Sequence, residues 1–159
     1  MVTPDTPATR ALANTDLEHE VVVTERARSV EESAGFQGID VTDLLKTLVV
    51  RRGDDDYVFV LVPGDRSIDW PKLRAHLGVS RLSLPDADEA REATGYERGA
   101  ITPFGAAKAW PVIADAVVAG RSKVAIGGGA HGVNLHVNGD SLIAALGADV
   151  ADVTKPAGG

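Results

Sequence analysis

Few side chains in this sequence are placed to do chemistry, and its most shaped stretch has the fewest. Residues 94–105 read TGYERGAITPFG, with three glycines and a proline but no histidine, no cysteine and one carboxylate. Glycine allows close backbone approach and left-handed turns, and proline fixes φ. Such a segment offers backbone N–H groups, which stabilise a developing oxyanion when aimed at a carbonyl oxygen. Lys46 is the side chain best suited to assist, being the sole charged residue between Asp43 and Arg51. At the start of an apolar run it can present a fixed positive charge to an anionic ligand. A lysine closing a helix also complements the helix dipole, and the residues leave both readings open.

The other motifs carry less. GGGAHG (127–132) satisfies G-x-G-x-x-G, but a strand-like segment follows it where a dinucleotide site needs a helix. It reads as a tight turn whose amides can line a pocket. No Gly-Lys-Ser/Thr is present, which excludes a P-loop, and no G-x-S-x-G elbow occurs. The histidines are His19, His76, His131 and His136, none with a second histidine three or four residues on. His19 and His76 read as surface residues, and His131, inside the glycine turn, is the one site candidate. The acids at 54–56 read as a solvated turn. These residues ask for no metal and no cofactor.

The elements that must position these groups follow from periodicity and punctuation. HEVVVT (19–24) reads as a strand, SVEESAGF as a helix, and IDVTDLLKT as a second helix with Asp40 as N-cap and Lys46 near its end. TLVVRR and YVFVLVP form a hairpin around GDDD. DWPKLRAHLG and DADEAREATG carry an aspartate before and a glycine after a helical stretch. RLSLP, PVIADAVV and KVAIG read as strands. In VNLHV, Val133, Leu135 and Val137 share one face, opposite Asn134 and His136. DSLIAALG is a helix and ADVADV a last strand. The expected fold is a single mixed α/β domain, with a partly parallel, partly antiparallel sheet curled into a barrel-like core flanked by helices.

Composition narrows the partners. The net charge is −7, but residues 1–45 hold nine acids against three bases while 46–159 are nearly balanced. Proteins that grip duplex DNA along its backbone are usually basic, so no DNA partner is expected. No apolar run reaches the roughly 18–20 residues of a membrane span. Without cysteines or a basic-then-apolar leader, the expected location is the cytoplasm.

Taken in order, Lys46 in LLKTLVV, TGYERGAITPFG, PVIAD, the GGGAHG turn and DSLIAALG resemble the YbaK-like aminoacyl-tRNA deacylases, the domain also found inserted in or associated with prolyl-tRNA synthetase. The resemblance runs from Val21 to Val153. It implies an editing domain over residues 19–154, after a partly helical N-terminal segment (1–18) and before a frayed tail (155–159). It further implies hydrolysis of the ester joining a wrong amino acid to the tRNA 3′ end, most naturally tRNA(Pro) carrying Ala, Cys, Ser or Thr. The resemblance makes the matching lysine, Lys46, the expected catalytic side chain. The pocket residues carried over are Gly95, Tyr96, Gly99 and Pro103 in the loop and Gly127, Gly128, Gly129 and His131 in the turn, with Thr47 beside Lys46. The implied partners are the mischarged tRNA 3′ end and a prolyl-tRNA synthetase. Arg51, Arg52, Arg66, Lys108 and Lys123 are candidates for a local basic patch. Relatives acting on cysteinyl-tRNA often carry a small hydroxyl residue at Gly127, basic residues near Ala130-His131 and an acid near Asn134, so the amino acid removed stays open. The alternative is a binding module of the same fold that recognises a tRNA end or nucleotide without turnover.

Overall fold

The run YVFVLVP is apolar at every position, as a strand covered on both faces must be. In the computed structural model, which describes residues 3–157, it is β3 (Asp56–Pro63) and lies inside a four-stranded sheet. Tyr57, Phe59 and Leu61 enter one core cluster, while Val58, Val60 and Val62 enter another on the opposite face. β2 (Leu45–Gly53) pairs antiparallel with β3, and β5 (Val112–Asp115) and β8 (Asp149–Ala151) extend the sheet in parallel. β1 (Glu20–Val23), β7 (Val133–Val137) and β6 (Val124–Gly127) make a three-stranded antiparallel sheet. β4 (Arg66–Ile68) pairs with β9 (Thr154–Pro156).

The mixed sheet topology agrees with expectation, but the barrel does not form. The strands are divided among three sheets, and one bridge, Leu44 to Ala125, joins the three- and four-stranded ones. Closure needs a continuous ladder around the axis, and a single bridge does not supply it.

The helices are set by their caps. α2 (Val30–Gln37), α3 (Trp70–Leu77), α4 (Ala87–Thr94) and α5 (Gly139–Leu146) each begin where a Ser, Asp or Asn side chain accepts an N–H from the first turn. Each is followed by a glycine in the left-handed region. A short α1 (Pro7–Leu12) packs Ala8 and Leu12 into the first cluster.

Three segments differ from expectation. IDVTDLLKT is a 3-10 turn at Val41–Asp43 followed directly by β2, and Asp40 makes no side-chain cap. The leucines and valines after it pair in register with β3, which overrides the helical reading of a short apolar run. RLSLP contributes one bridge, Ser83 to Arg51. Lys155 and Pro156 of the expected tail are paired in β9, and residues 158–159 lie outside the described residues.

Asp115 ties the far end of the central sheet together. It is 1% exposed, and its two carboxylate oxygens accept the N–H groups of Val153 at 3.2 Å and Val117 at 3.1 Å. Removing it leaves the buried Val153 amide and the partly buried Val117 amide without an acceptor. Asp115→Ala is therefore expected to lose about 3 kcal/mol of stability in urea denaturation, and a loss near zero would show that water replaces the carboxylate.

Candidate active site

The pleat of β2 decides what faces where. Leu45 and Val49 point into the first core cluster, and Leu48 and Val50 into the second. Side chains alternate along a strand, so Thr47 shares the face of Leu45 and Val49, while Lys46 shares that of Leu48. Both residues line a cleft of about 440 Å³. Its other walls are α2, the segment joining β1 to α2, the ends of β6 and β7, the glycine turn and the Arg98–Gly99 corner.

Lys46 sits in a strand, so the helix-dipole account of it falls. Its ammonium donates to the Arg66 carbonyl at 2.7 Å. Partial burial pushes its pKa below the ordinary 10.5, with Asp65 and Glu31 pulling the other way. An ammonium has three protons, so two remain to hold a ligand. The Thr47 hydroxyl is buried and has no hydrogen-bond partner among the described residues, an arrangement that proteins rarely leave unused.

The glycine turn supplies backbone donors. Gly128 N–H bonds Val133 O at 2.8 Å and Val133 N–H bonds Ala130 O at 3.1 Å, which closes the turn. Between them, the amides of residues 129–132 donate no backbone hydrogen bond among the described residues. Ala130, His131 and Gly132 line the cleft. Gly99 meets this turn: its φ is +87°, and a Cβ there would lie 3.1 Å from His131 Cε1. Imidazole Nε2 of His131 lies 3.4 Å from a Glu97 carboxylate oxygen.

Lys46, Thr47, Gly99, Gly127 and His131 thus come together on one cleft. Gly95, Tyr96, Pro103, Gly128 and Gly129 do not line it. Gly95 terminates α4. The Tyr96 hydroxyl is turned inward, donating to Phe104 O at 2.6 Å, and burial pushes its pKa up to about 12. Gly128 O accepts the Thr6 hydroxyl at 2.7 Å, and Gly129 packs on Tyr96 and Thr6. These residues support the wall from behind. None of the five residues suggested for a basic patch lines the cleft. Arg51 and Arg52 are paired with Asp54 and Asp56, Arg66 bonds Thr154, and Lys108 lies over Trp110.

Sequence reasoning overlooked His136. Alternation along β7 sets it opposite Val133, Leu135 and Val137, yet it is buried, and α2 brings Gln37 Oε1 to 2.9 Å from its Nε2. Burial and Lys123 lower its pKa, while Glu20 opposes them. The strand period places the residue on its face, but nothing local in the sequence predicts that a helix covers it.

The family of aminoacyl-tRNA editing domains matches residues 24–145. The chain belongs to it. It is 36% identical over 109 residues to a proline–tRNA ligase of Thermosipho africanus, covering 69% of this chain and 19% of that protein. A proline–tRNA ligase of Thermosipho melanesiensis is 32% identical over 126 residues, covering 77% of this chain and 22% of that protein. The chain thus spans about a fifth of the length of these curated relatives. Among solved structures, a candidate trans-editing enzyme for prolyl-tRNA synthetase superposes with a TM-score of 0.81 at 26% identity, over 96% of this chain and 99% of that one. A hypothetical protein superposes with a TM-score of 0.87 at 27% identity, over 94% and 99%. No helix among the described residues is long and apolar enough to cross a membrane.

Tyr96 separates scaffold from pocket. Tyr96→Phe is expected to cost about 1–3 kcal/mol, because the Phe104 carbonyl loses its buried donor, while KM for aminoacyl-tRNA stays unchanged. A raised KM at unaltered stability would put the phenol in contact with substrate.

Proposed function

We propose that this protein deacylates mischarged tRNA in trans, removing a small non-cognate amino acid (Ala, Cys, Ser or Thr) from tRNA(Pro). The observation that carries the reading is the convergence of Lys46, Thr47, Gly99 and the undonated amides of residues 130–132 on one cleft in an editing-domain chain. Water adds to the ester carbonyl carbon, the bond to the ribose oxygen breaks, and that oxygen takes the proton. The ribose's neighbouring hydroxyl can position the water, so the protein needs no general base of its own. The turn amides are suited to the oxyanion, and they are already oriented before reaction. The two remaining Lys46 protons hold the terminal phosphate or ester in register. An aminoacyl ester is an activated substrate, so modest stabilisation suffices, at about 1.4 kcal/mol per factor of ten. Action beside prolyl-tRNA synthetase, by raised local concentration, is supported by the relatives that carry this domain within a ligase.

The test is a panel of tRNA(Pro) charged with Ala, Cys, Ser, Thr or Pro, incubated with wild type and Lys46→Ala. One or two non-cognate species should be cleared, with a loss on the order of 100-fold in the variant. Binding without release of amino acid would favour the non-catalytic module.

The lowered pKa of Lys46 sets the sign of a pH effect. Activity that needs its ammonium falls as pH rises through a folded value below 10.5. Asp65→Asn removes a carboxylate that raises this value, so the alkaline limb of kcat/KM, corrected for spontaneous hydrolysis, should move to lower pH. A limb that stays in place, or persists in Lys46→Ala, would assign it to another group.

A further inference from the structure

Between β1 and α2 the chain runs Thr24-Glu25-Arg26-Ala27-Arg28-Ser29, and all six residues line the cleft. Both ends of this strap are pinned. Thr24 N–H donates to Gly132 O at 2.8 Å, and a Cβ on Gly132 would meet the Thr24 carbonyl at 2.4 Å, so the strap lies directly on the glycine turn. At the other end, Ser29 Oγ accepts the N–H of Glu32 at 3.0 Å, and Glu32 Oε1 accepts the N–H of Arg28 at 3.0 Å. This reciprocal cap fixes where the chain enters α2.

On that held backbone Arg26 and Arg28 are exposed. Neither guanidinium makes an ion pair or a hydrogen bond among the described residues. Arg51, Arg52 and Arg121, by contrast, are each paired with an aspartate. The Arg98 guanidinium at the opposite corner donates to Pro85 O at 2.7 Å. Arg74, Arg81 and Arg91 also lack partners among the described residues, but they do not line the cleft. The chain carries a net charge of −7, and yet two exposed cations without a partner among the described residues line the cleft two positions apart on one strap.

The walls explain what such a pair is for. No Phe, Tyr or Trp lines the cleft, and His131 is the one ring lining it on which a base could stack. Affinity for a single-stranded end must then come largely from charge. Guanidinium groups match phosphate oxygens in geometry and hold them by charge-assisted hydrogen bonds. We propose that Arg26 and Arg28 form a phosphate-docking rim, which takes two phosphodiester groups of the single-stranded 3′ end next to the nucleotide bearing the ester. The inference rests on the editing reading above and adds the residues that grip the nucleic acid outside the ester pocket. Glu25, preceding the two arginines, limits the rim to a short stretch of backbone.

The experiment compares two substrates that share one ester. The first is the aminoacyl-tRNA cleared by the wild-type protein, and the second is the matching aminoacyl-adenosine, which has no phosphodiester. Arg26→Gln, Arg28→Gln and the double variant are assayed on both across a series of salt concentrations. On tRNA, the double variant should lose about tenfold or more in kcat/KM, mostly through KM. The slope of log kcat/KM against log salt should flatten by about 0.7 for each arginine removed, the single-strand value per phosphate neutralised. On aminoacyl-adenosine the variants should match the wild type. Equal losses on both substrates would overturn the rim and make the strap a structural wall. Unchanged rates and salt slope on tRNA would overturn it too, leaving the editing reading intact. If the wild type hydrolyses neither ester, the editing reading itself fails.

Discussion

The register of β2 against β3 governs this site. Lys46 stands opposite Val62 and Thr47 opposite Leu61. A slip of one residue would exchange the faces of every side chain on the strand. Lys46 would then enter the first core cluster and Val49 would leave it. The penalty for burying an unpaired ammonium among Leu61, Phe59 and Ile126 makes that exchange prohibitive. The apolar pattern of β3, buried on both faces, therefore fixes Lys46 more firmly than any contact the lysine makes itself. Its bond to the Arg66 carbonyl is a consequence of that register, since β4 follows β3 by a turn at Gly64 and Asp65.

The opposite wall is built on a different principle. The glycine turn is closed by its own bonds to Val133 and braced from behind, by Thr6 at the start of α1 and by Tyr96. Thr6 Oγ1 bonds Gly128 O across more than a hundred residues of sequence. The Tyr96 hydroxyl in turn holds the Phe104 carbonyl, so the loop and the turn are braced by one layer of buried groups. The amides of Ala130, His131 and Gly132, which line the cleft, donate no backbone hydrogen bond among the described residues. The N-terminal helix thus forms part of the site's scaffold, and its Ala8 and Leu12 are core residues.

Much of this is legible in the sequence, for reasons that are themselves local. The aspartates before α3 and α4 and the glycines after them act within a few residues, so the caps show in the sequence. The central hairpin shows because its apolar run is long. What escapes reading depends on distant partners. The stretch around Val41–Lys46 looks helical in isolation and becomes a strand because β3 offers it a ladder. Lys155 and Pro156 look like a loose end until β4 is there to pair with them. Tyr96 and Gly129 sit in the right motif but face inward, and a motif records spacing without recording direction. The family resemblance identifies the cleft, yet it treats buried supports and exposed lining alike.

Charge shows the same division between what a total says and what a placement does. An excess of acid over the first 45 residues argues against a broad nucleic-acid surface, and two bases of the suggested patch, Arg51 and Arg52, are paired with nearby aspartates. Two bases within that same acidic third, Arg26 and Arg28, nevertheless line the cleft without a partner among the described residues. At an effective screening distance of about 8–10 Å, distant acids hardly affect a ligand at that mouth, whereas the two guanidiniums lie within reach of it. A protein that handles only the end of a nucleic acid therefore does not need a basic face. On the proposed reading it needs a few held cations beside the pocket, in a domain whose residues 46–159 are nearly balanced in charge.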